Sequence, residues 1–289
     1  MKTRFIVNLR SGRAQKALPS VRAFAARRHA DVVLTVRARH ACELAATALT
    51  DECELIVAVG GDGTMNEVAS ALIDAPATLG LIPCGSGDGL GRHLGIHGST
   101  AHALGVLESG TTRLIDTGIA DGHPFFTAAG IGFEAEIAQR FNALRRRGFL
   151  RYLSTSARAF RQWKPATYAI THPEGRDEIR AFTVAVANSD QYGNNAIIAP
   201  GARADDGLLD LCGIPQVTFF NAAPLTARLF AGTLHRQTGV YLRRAAQFTI
   251  ERSSAGPLHT DGEIHPAGAV IEFSIRPRSL RVMAPLSAS

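Results

Sequence analysis

The sequence predicts two domains: an α/β domain with a parallel sheet over residues 1–111, and a β-rich, mostly antiparallel domain over residues 112–289. Two observations support this division. Strand-like and helix-like runs alternate in the first third of the chain, whereas the remainder consists mainly of short strand-like runs with few helices between them. A chain of 289 residues is also long enough to form two domains with separate cores.

In the first domain, short apolar runs indicate four strands: RFIVNL, DVVLTV, LIVAVG and TLGLIP. Helix-like runs lie between them, namely RAQKALPSVRAFAARR, ACELAATAL and the residues after Thr64. We expect the first of these helices to be interrupted at Pro19. Such alternation is typical of a parallel sheet with helices on its faces, and ligands of such sheets bind beyond the carboxyl ends of the strands.

The second domain is predicted from seven further strand-like runs: TTRLIDTGIA, PFFTAAGIG, ATYAITH, EIRAFTVAVAN, GLLDLCGI, VYLRRAAQFTIER and AVIEFSIRP. The run after them, SLRVMAP, is apolar enough to join either domain. The extreme C-terminus is therefore a candidate for packing back on the first domain.

The composition limits the functions to consider. A net charge of +6 and a pI near 9.5 favour an anionic partner, such as a nucleotide, a nucleic acid or an anionic lipid surface. Nucleic acid is the least favoured, because no platform of interleaved basic and aromatic residues is evident. No apolar run approaches the roughly 20 residues of a membrane span, and the first residues do not resemble a signal peptide. We therefore expect a cytoplasmic protein.

Two glycine-rich loops follow strands and precede helix-like runs. The first contains Gly60, Gly61 and Gly63, and the second is PCGSGDGLGRHLGI. Glycine lets the backbone approach a ligand closely, and a helix start presents unpaired N–H groups to anions. One such loop is most simply a tight turn, but two favour a nucleotide phosphate site. Neither loop has the Walker or the dinucleotide-binding pattern.

Acidic residues accompany these loops. Asp62 lies among the phosphate-binding glycines, which suggests a Mg²⁺ ion between the carboxylate and the phosphates. Late in the chain, Asp261 and Glu263 flank Gly262 in HTDGEIHP, a pattern that by itself indicates a hairpin turn. The flanking His259 and His265 are most simply bystanders of this turn.

Three separated motifs together resemble the diacylglycerol kinase catalytic-domain family, which includes bacterial lipid kinases and sphingosine kinases. The motifs are GGDGTMNE, IPCGSGDGLGRHLGI and HTDGE, and they occur in the family's order over nearly the whole chain. The resemblance implies a nucleotide domain followed by a β-rich lipid domain, with the active site in the cleft between them. It also implies ATP-dependent phosphorylation, with Mg²⁺, of a hydroxyl of a diacylglycerol-like or sphingoid lipid.

The resemblance also implies residue roles. Asp261 would be the general base, Glu263 would help to position Mg²⁺ or the nucleotide, and Asp62 and Asp116 would join Asp261 in an acidic network around the metal. A structural Mg²⁺ would bind Asp206 and the main-chain carbonyls of Arg203 and Leu208, although a plain acidic surface loop explains the same residues. The implied nucleotide-binding residues are Asn8, Gly60, Gly61, Gly63, Thr64, Glu67, Gly85, Ser86, Gly87 and Glu263.

Two departures from the family pattern keep other functions open. NLRSG at Asn8 lacks the usual proline, and Asp88 replaces the usual asparagine of the second loop, which adds a charge near the phosphates. A catalytically silent nucleotide- or lipid-sensing protein is therefore one alternative. The other is an NAD kinase, which shares the GGDGT loop, although Asn66 and Glu67 directly after the loop favour the lipid kinases.

A basic, amphipathic stretch over residues 140–164 suggests a further partner. Its arginines alternate with apolar and aromatic residues, a composition suited to anionic lipid headgroups at the inner membrane face. A solvated helix face is the simpler interpretation.

Overall fold

Our computed structural model describes residues 1–142 and 163–286, and it confirms the predicted fold class. The helices of these residues are α1 Ala14–Arg27, α2 His40–Thr50, α3 Asp62–Ala71, α4 Gly89–His93, α5 Thr100–Ser109, α6 Phe133–Asn142 and α7 Phe219–Phe230, with a 3₁₀ turn at Leu234–Arg236. The strands of the first half are β1 Thr3–Val7, β2 Asp31–Leu34, β3 Leu55–Gly60, β4 Thr78–Pro83, β5 Thr111–Ala120, β6 His123–Phe125 and β7 Ala128–Gly132. The later strands are β8 Ala166–His172, β9 Gly175–Ala181, β10 Thr183–Ala187, β11 Gln191–Gly193, β12 Ala196–Ile197, β13 Leu209–Ile214, β14 Tyr241–Ala245, β15 Gln247–Arg252, β16 Gly256–Thr260, β17 Glu263–Ala267 and β18 Val270–Ala284.

The N-terminal domain is a parallel sheet of order β2-β1-β3-β4 with helices packed on it. All six residues of β3 and all six of β4 are buried, which explains why these strands are continuous apolar runs rather than alternating ones. Both strands end in a glycine-rich loop at the same edge of the sheet. The fold thus brings the two loops side by side.

Helix α1 corrects one expectation, because it continues through Pro19 without interruption. Pro19 is exposed, so the carbonyl group that loses its helical N–H partner can bind water. Val21 and Phe24, one turn further on, are buried and hold the helix against the sheet.

The C-terminal domain is a sandwich of two sheets. One is an antiparallel sheet of order β14-β13-β10-β7-β16-β17, and the other contains β18, β15, β8 and β9. Apolar side chains from both sheets form a shared core that includes Phe125, Phe248 and Phe273. On the outer face of the first sheet, α7 covers a smaller cluster through Leu225. Three predicted strands are each divided in the structure, into β6 and β7, into β9 and β10, and into β14 and β15.

The last strand, β18, connects the two domains. It pairs antiparallel with β15 and β5, and Val282 pairs in parallel with Leu79 of β4. The C-terminus therefore continues the N-terminal sheet into a sheet of 10 strands. This places the hairpin β16–β17 opposite the carboxyl ends of β3 and β4.

Among the described residues, no helix combines the length and the apolar composition that crossing a membrane requires. Most of the basic stretch, residues 143–162, lies outside the described residues. Its predicted contact with anionic lipid stays a prediction.

Candidate active site

The two glycine loops form one continuous surface. A Cβ atom placed on Gly85 would lie 2.9 Å from the Gly61 Cα, so only glycine permits this approach. Asp62, the first residue of α3, accepts a hydrogen bond from the Gly89 N–H through Oδ1 at 3.1 Å. The side chain of Asp62 thus joins the first loop to the second.

Asn8 and Thr64 close one side of this surface. The Asn8 Nδ2 donates to Thr64 Oγ1 at 3.0 Å, and its Oδ1 accepts the Arg10 N–H at 3.1 Å. Gly60 leaves room for Thr64, since a Cβ there would lie 2.6 Å from Thr64 Oγ1. A cavity of about 280 Å³ lies here, and its lining includes Asn8, Arg10, Ser11, Arg37, Gly61, Gly63, Thr64 and Glu67.

Glu67 also has a structural contact that its motif does not indicate. Its two carboxylate oxygens accept the N–H groups of Arg39 and Ala41, each at 3.0 Å. These are N–H groups at the start of α2, which otherwise lack helical partners. Glu67 therefore caps α2 while it borders the cavity.

The second loop places Ser86 at an exposed tip and Gly87 against Asp62. A Cβ atom on Gly87 would lie 2.7 Å from Asp62 Oδ2. Every glycine-loop residue in the predicted nucleotide site is thus within one region at the carboxyl ends of β3 and β4.

Asp88 is the acidic residue of this second loop. It is 5% exposed, and its backbone φ of 52° lies in the left-handed region, at the start of α4. Burial, together with the charge of Asp62, raises the pKa of the Asp88 carboxyl to about 7. Its Oδ1 has no hydrogen-bond partner within the described residues.

Asp261 lies in the two-residue turn between β16 and β17. Asp261 and Gly262 have φ values of 47° and 86°, as in tight hairpin turns. The carboxylate accepts the N–H groups of Phe126 at 2.7 Å, Thr127 at 2.9 Å and Ala128 at 3.0 Å, as well as the Thr127 hydroxyl. The structure therefore confirms the hairpin turn at this motif, and the role of Asp261 as a site residue stays a prediction.

The hydrogen bonds and the burial act on Asp261 in opposite directions. Burial raises the pKa of its carboxyl, and the bonds from Thr127, Phe126 and Ala128 oppose the rise. Oδ1 accepts three of the four donors, whereas Oδ2 accepts only the Phe126 N–H. An ionised carboxylate has about four lone-pair positions, so Oδ2 retains accepting capacity.

A cavity of about 290 Å³ separates the glycine loops from the hairpin. Asp62 faces it from the N-terminal domain and Asp261 from the C-terminal domain, and none of the described lysines or arginines lines it. The described residues of its lining are Asp62, Met65, Asn66, Gly87, Gly89, Leu90, Thr127, Ala128, Glu134, Tyr192, Gly193, His259, Asp261 and Gly262. A neighbouring cavity of about 560 Å³ shares Asp261 and adds the exposed Glu263.

Asp116 is placed elsewhere. It is fully buried, and its carboxylate accepts the N–H groups of Gly207 and Arg278, each at 2.7 Å. It lines neither cavity. The structure therefore places Asp62 and Asp261 on the same cavity, whereas the carboxylate of Asp116, on β5, binds the loop at Gly207 and the strand β18.

In the acidic loop after residue 200, the carboxylate of Asp206 is not free, because it pairs with an arginine side chain of the same chain. Asp206 Oδ2 pairs with the Arg244 guanidinium at 2.5 Å, and its Oδ1 accepts the Leu208 N–H at 3.1 Å. Arg203 pairs with Asp205 at 3.0 Å. Both oxygens of Asp206 are thus engaged by protein donors, which does not fit the predicted Mg²⁺ site. Among residues 1–142 and 163–286, no group of three or more His, Cys, Asp or Glu side chains is arranged to hold a metal ion.

Three polar residues of this cavity, Tyr192, His259 and Glu134, interact with one another but have no predicted role. The Tyr192 hydroxyl lies 2.8 Å from His259 Nε2, which lies 3.2 Å from Glu134 Oε1. His259 stands two positions before Asp261, so its place in the motif is a signal that could have been used. Glu134 and Tyr192 come from separate parts of the chain and carry no comparable signal.

Comparisons with known proteins agree with this arrangement. Residues 2–120 match the model of the diacylglycerol kinase catalytic domain, and residues 127–284 match that of the YegS C-terminal NAD kinase beta sandwich-like domain. The chain is 31% identical over 258 residues to a "Probable lipid kinase YegS-like" of Pseudomonas fluorescens, covering 88% of this chain and 85% of that protein. A protein of the same name from Pseudomonas aeruginosa is 30% identical over 279 residues, covering 91% and 88%.

Solved structures show the same fold. A diacylglycerol kinase from Bacillus anthracis superposes with a TM-score of 0.74 and 18% identity, covering 100% of this chain and 98% of that one. An NAD kinase from Archaeoglobus fulgidus, solved in complex with ATP, superposes with a TM-score of 0.57 and 15% identity, covering 97% and 93%.

Proposed function

The chain belongs to the diacylglycerol kinase catalytic-domain family, and from this premise we propose that it transfers the terminal phosphoryl group of ATP to a hydroxyl of a diacylglycerol-like or sphingoid lipid. One observation carries the proposal. Asp62, among the glycine loops, and Asp261, on the opposite hairpin, face the same cavity from different domains. A phosphoryl donor and an acceptor can therefore meet between a phosphate-binding surface and a carboxylate base.

The glycine loops would hold the triphosphate. The glycines of these loops carry no Cβ atoms, and the N-terminus of α3 directs unpaired N–H groups and a partial positive charge toward the same place. The hydrogen bond from Asn8 to Thr64 holds these two side chains in place at one edge of the glycine-loop surface. Such preorganised donors stabilise the charge that develops on the transferring group.

The residues present also fit a catalytic Mg²⁺. Asp62 uses Oδ1 for the Gly89 N–H and keeps Oδ2 for another partner beside the glycine loops, and Glu263 is exposed in the adjoining cavity. When bound, the ion would neutralise phosphate charge. Asp62 would hold it, and Glu263 would help to position it or the nucleotide.

Asp261 would act as the general base. Its Oδ2 is available to accept the proton of the acceptor hydroxyl, while the donors from residues 126–128 keep the carboxylate in one orientation. Burial, which raises the pKa of Asp261, also makes the ionised carboxylate a stronger proton acceptor. The acyl or alkyl part of the lipid would lie against Met65 and Leu90, which line the same cavity.

The test is ADP release from Mg·ATP with a panel of diacylglycerol, monoacylglycerol, phosphatidylglycerol, sphingoid base, ceramide and NAD. We expect turnover with a lipid and a loss of about 10²- to 10⁴-fold in Asp261→Asn. Asp121→Asn is the matched control, because Asp121 begins another turn with two positive φ values and lines neither candidate cavity. Turnover with NAD alone would identify an NAD kinase, and ATP binding without any turnover would identify a sensor.

A further inference from the structure

Glu134, His259 and Tyr192 form a connected group on one wall of the cavity, beside Asp261. The group, here called the acceptor trio, comes from α6, β16 and β11, and His259 is only 6% exposed. Its central atom is His259 Nε2, at 2.8 Å from the Tyr192 hydroxyl and 3.2 Å from Glu134 Oε1. None of these residues has a part in the proposed phosphoryl transfer.

The donors of the trio are used within it. His259 Nε2 faces a hydroxyl and a carboxylate, so the ring proton belongs on Nε2, and the Tyr192 hydroxyl also interacts with Glu134. What remains is accepting capacity: the Glu134 carboxylate, and His259 Nδ1, which is buried without a partner among the described residues. Within residues 1–142 and 163–286, no hydrogen-bond donor from outside the trio fills these acceptor positions.

The trio is also well placed relative to the base. His259 and Asp261 are two residues apart, and His259 pairs with Gly130 on β7, the strand whose first N–H group, from Ala128, binds the Asp261 carboxylate. The absence of a Cβ at Gly130 makes room for the trio, since one placed there would lie 2.8 Å from His259 Nε2. A lipid hydroxyl at Asp261 would therefore have its neighbouring polar group near the trio.

We propose that the acceptor trio recognises a second hydrogen-bond donor of the lipid, a hydroxyl or an ammonium group on the carbon next to the one that carries the reacting hydroxyl. This inference rests on the proposed function and narrows its substrate class. Sphingoid bases and 1-monoacylglycerols carry such a donor, whereas 1,2-diacylglycerols do not. A lipid with a free vicinal donor fits the site, whereas one with that position blocked by an ester or ether leaves the remaining acceptor positions of the Glu134 carboxylate unfilled. Sites built to bind a polar group reject analogues that lack it strongly.

The experiment compares two synthetic lipids that differ only in the proposed donor. They are a 1-O-alkylglycerol and its 2-O-methyl ether, presented in the same detergent micelles with Mg·ATP. Both offer the same primary hydroxyl to Asp261. We expect kcat/KM to be about 10- to 100-fold higher for the free 2-hydroxyl, the range for a hydrogen bond to a charged group.

Substitutions within the acceptor trio test whether these residues cause the preference for the free 2-hydroxyl. Glu134→Gln removes the charge, and we expect it to reduce the ratio of the two kcat/KM values to about threefold or less. Glu136→Gln is the matched control, because it makes the same change on the same helix outside the cavity lining. If Glu134→Gln lowers the melting temperature too far for assay, Tyr192→Phe, which removes one hydroxyl, is expected to reduce the ratio in the same direction.

A sphingoid base serves as a third acceptor and distinguishes the two kinds of donor. Turnover above that of the alkylglycerol assigns the donor as an ammonium group, and the reverse order assigns it as a hydroxyl. Equal turnover of the alkylglycerol and its methyl ether would overturn the inference and leave the kinase assignment intact. A large ratio that survives both Glu134→Gln and Tyr192→Phe would likewise overturn it. Absence of turnover with every lipid would overturn the proposed function together with the inference.

Discussion

The Thr127 hydroxyl donates to the carboxylate of Asp261, and the backbone N–H of Thr127 donates to the same oxygen at 2.9 Å. Thr127 lies just before β7, whereas Asp261 lies in a hairpin more than a hundred residues later. The orientation of the proposed base is thus set from the facing strand. It is not set by the hairpin alone.

This relationship predicts the pH dependence of a Thr127→Val variant. The Thr127 hydrogen bond lowers the pKa of Asp261, so its removal should let burial raise that pKa further. Because the base acts when ionised, the acidic limb of kcat/KM should move to higher pH in the variant. A pH–rate profile of both proteins measures this shift.

The control for this change is Thr183→Val. The Thr183 hydroxyl donates to the Ile131 carbonyl at 2.9 Å, so its loss removes one buried hydrogen bond without affecting a carboxylate. We expect Thr183→Val to lower the melting temperature and leave the acidic limb in place. An unmoved limb in Thr127→Val would contradict the role given to the hydroxyl.

Asp88→Asn is expected to change the pH dependence of stability. The pKa of Asp88 is about 7 in the folded protein, above its ordinary value, so the folded state keeps a proton that the unfolded state loses near pH 4. The stability contributed by this carboxyl is complete below about pH 4 and is lost as the pH rises to about 7. The variant should therefore lose less melting temperature than the parent between pH 5 and pH 8.

The same substitution should strengthen nucleotide binding at pH 8, by about fivefold, because it removes a charge beside the phosphate loops worth about 1 kcal/mol. Calorimetric titration with ATP measures this. Asp74→Asn is the control: Asp74 also has a left-handed backbone, with φ of 58°, but its carboxylate pairs with Arg276 outside the two cavities. Equal ATP affinity in Asp88→Asn and the parent would show that Asp88 is not charged near the phosphates.

The fold and the loops were predictable because their signals are local. A buried strand, a glycine run and a helical repeat follow one another at Leu55–Gly60 and Asp62–Ala71, so this strand, loop and helix can be located from the sequence without further information. The Asp261–Gly262 turn is equally local, since both positions require φ above zero.

Other features of the site were not predictable from the sequence, because they depend on partners that are distant in the chain. Asp116 resembles a site residue by type, yet the N–H groups of Gly207 and Arg278 occupy its carboxylate. The acceptor trio is the opposite case, because no signal in the sequence marks Glu134 or Tyr192 as a site residue. They become neighbours only where α6 and β11 meet beside His259 in the folded protein. A sequence motif specifies which types of residue are present. It does not specify the hydrogen-bond partners of a carboxylate, which depend on the tertiary fold.

Two glycine substitutions should separate folding from nucleotide binding. Gly85→Ala would bring a Cβ to 2.9 Å from the Gly61 Cα, so the loops must move apart and the melting temperature should fall. The Cβ of Gly63→Ala would meet no atom of the described residues within 4 Å, and position 63 lies inside α3, where alanine is favoured over glycine by up to about 1 kcal/mol. It should fold at least as well as the parent and bind ATP about tenfold or more weakly, since its methyl group enters the phosphate surface.

The control is Gly105→Ala, another substitution inside a helix with nothing within 4 Å, here in α5. It should raise the melting temperature slightly and leave ATP affinity unchanged. Thermal unfolding and ATP titration of the three variants measure both properties. Full ATP affinity in Gly63→Ala would contradict the placement of the phosphates at the start of α3.

Because of Arg244, we expect the stability of the acidic loop around Asp206 not to depend on Mg²⁺. Its guanidinium bridges Asp206 at 2.5 Å and Asp210 at 3.0 Å, and Asp210 lies directly opposite it in the β13–β14 pair. A divalent cation would have to displace a cation that is covalently part of the chain. Addition of EDTA should therefore leave the melting temperature of the parent protein unchanged.

In contrast, the stability of an Arg244→Met variant should depend on Mg²⁺. It leaves Asp206 and Asp210 close together without a cation, so we expect the variant to lose about 1 kcal/mol of unfolding free energy and to regain melting temperature as Mg²⁺ is added. Arg243→Met is the control, because Arg243 pairs instead with Glu174 and Asp177, and its variant should lose stability without responding to Mg²⁺. A parent protein that melts several degrees lower in EDTA and recovers with Mg²⁺ would show instead that Asp206 binds a metal despite Arg244, because its other contacts can rearrange around the ion.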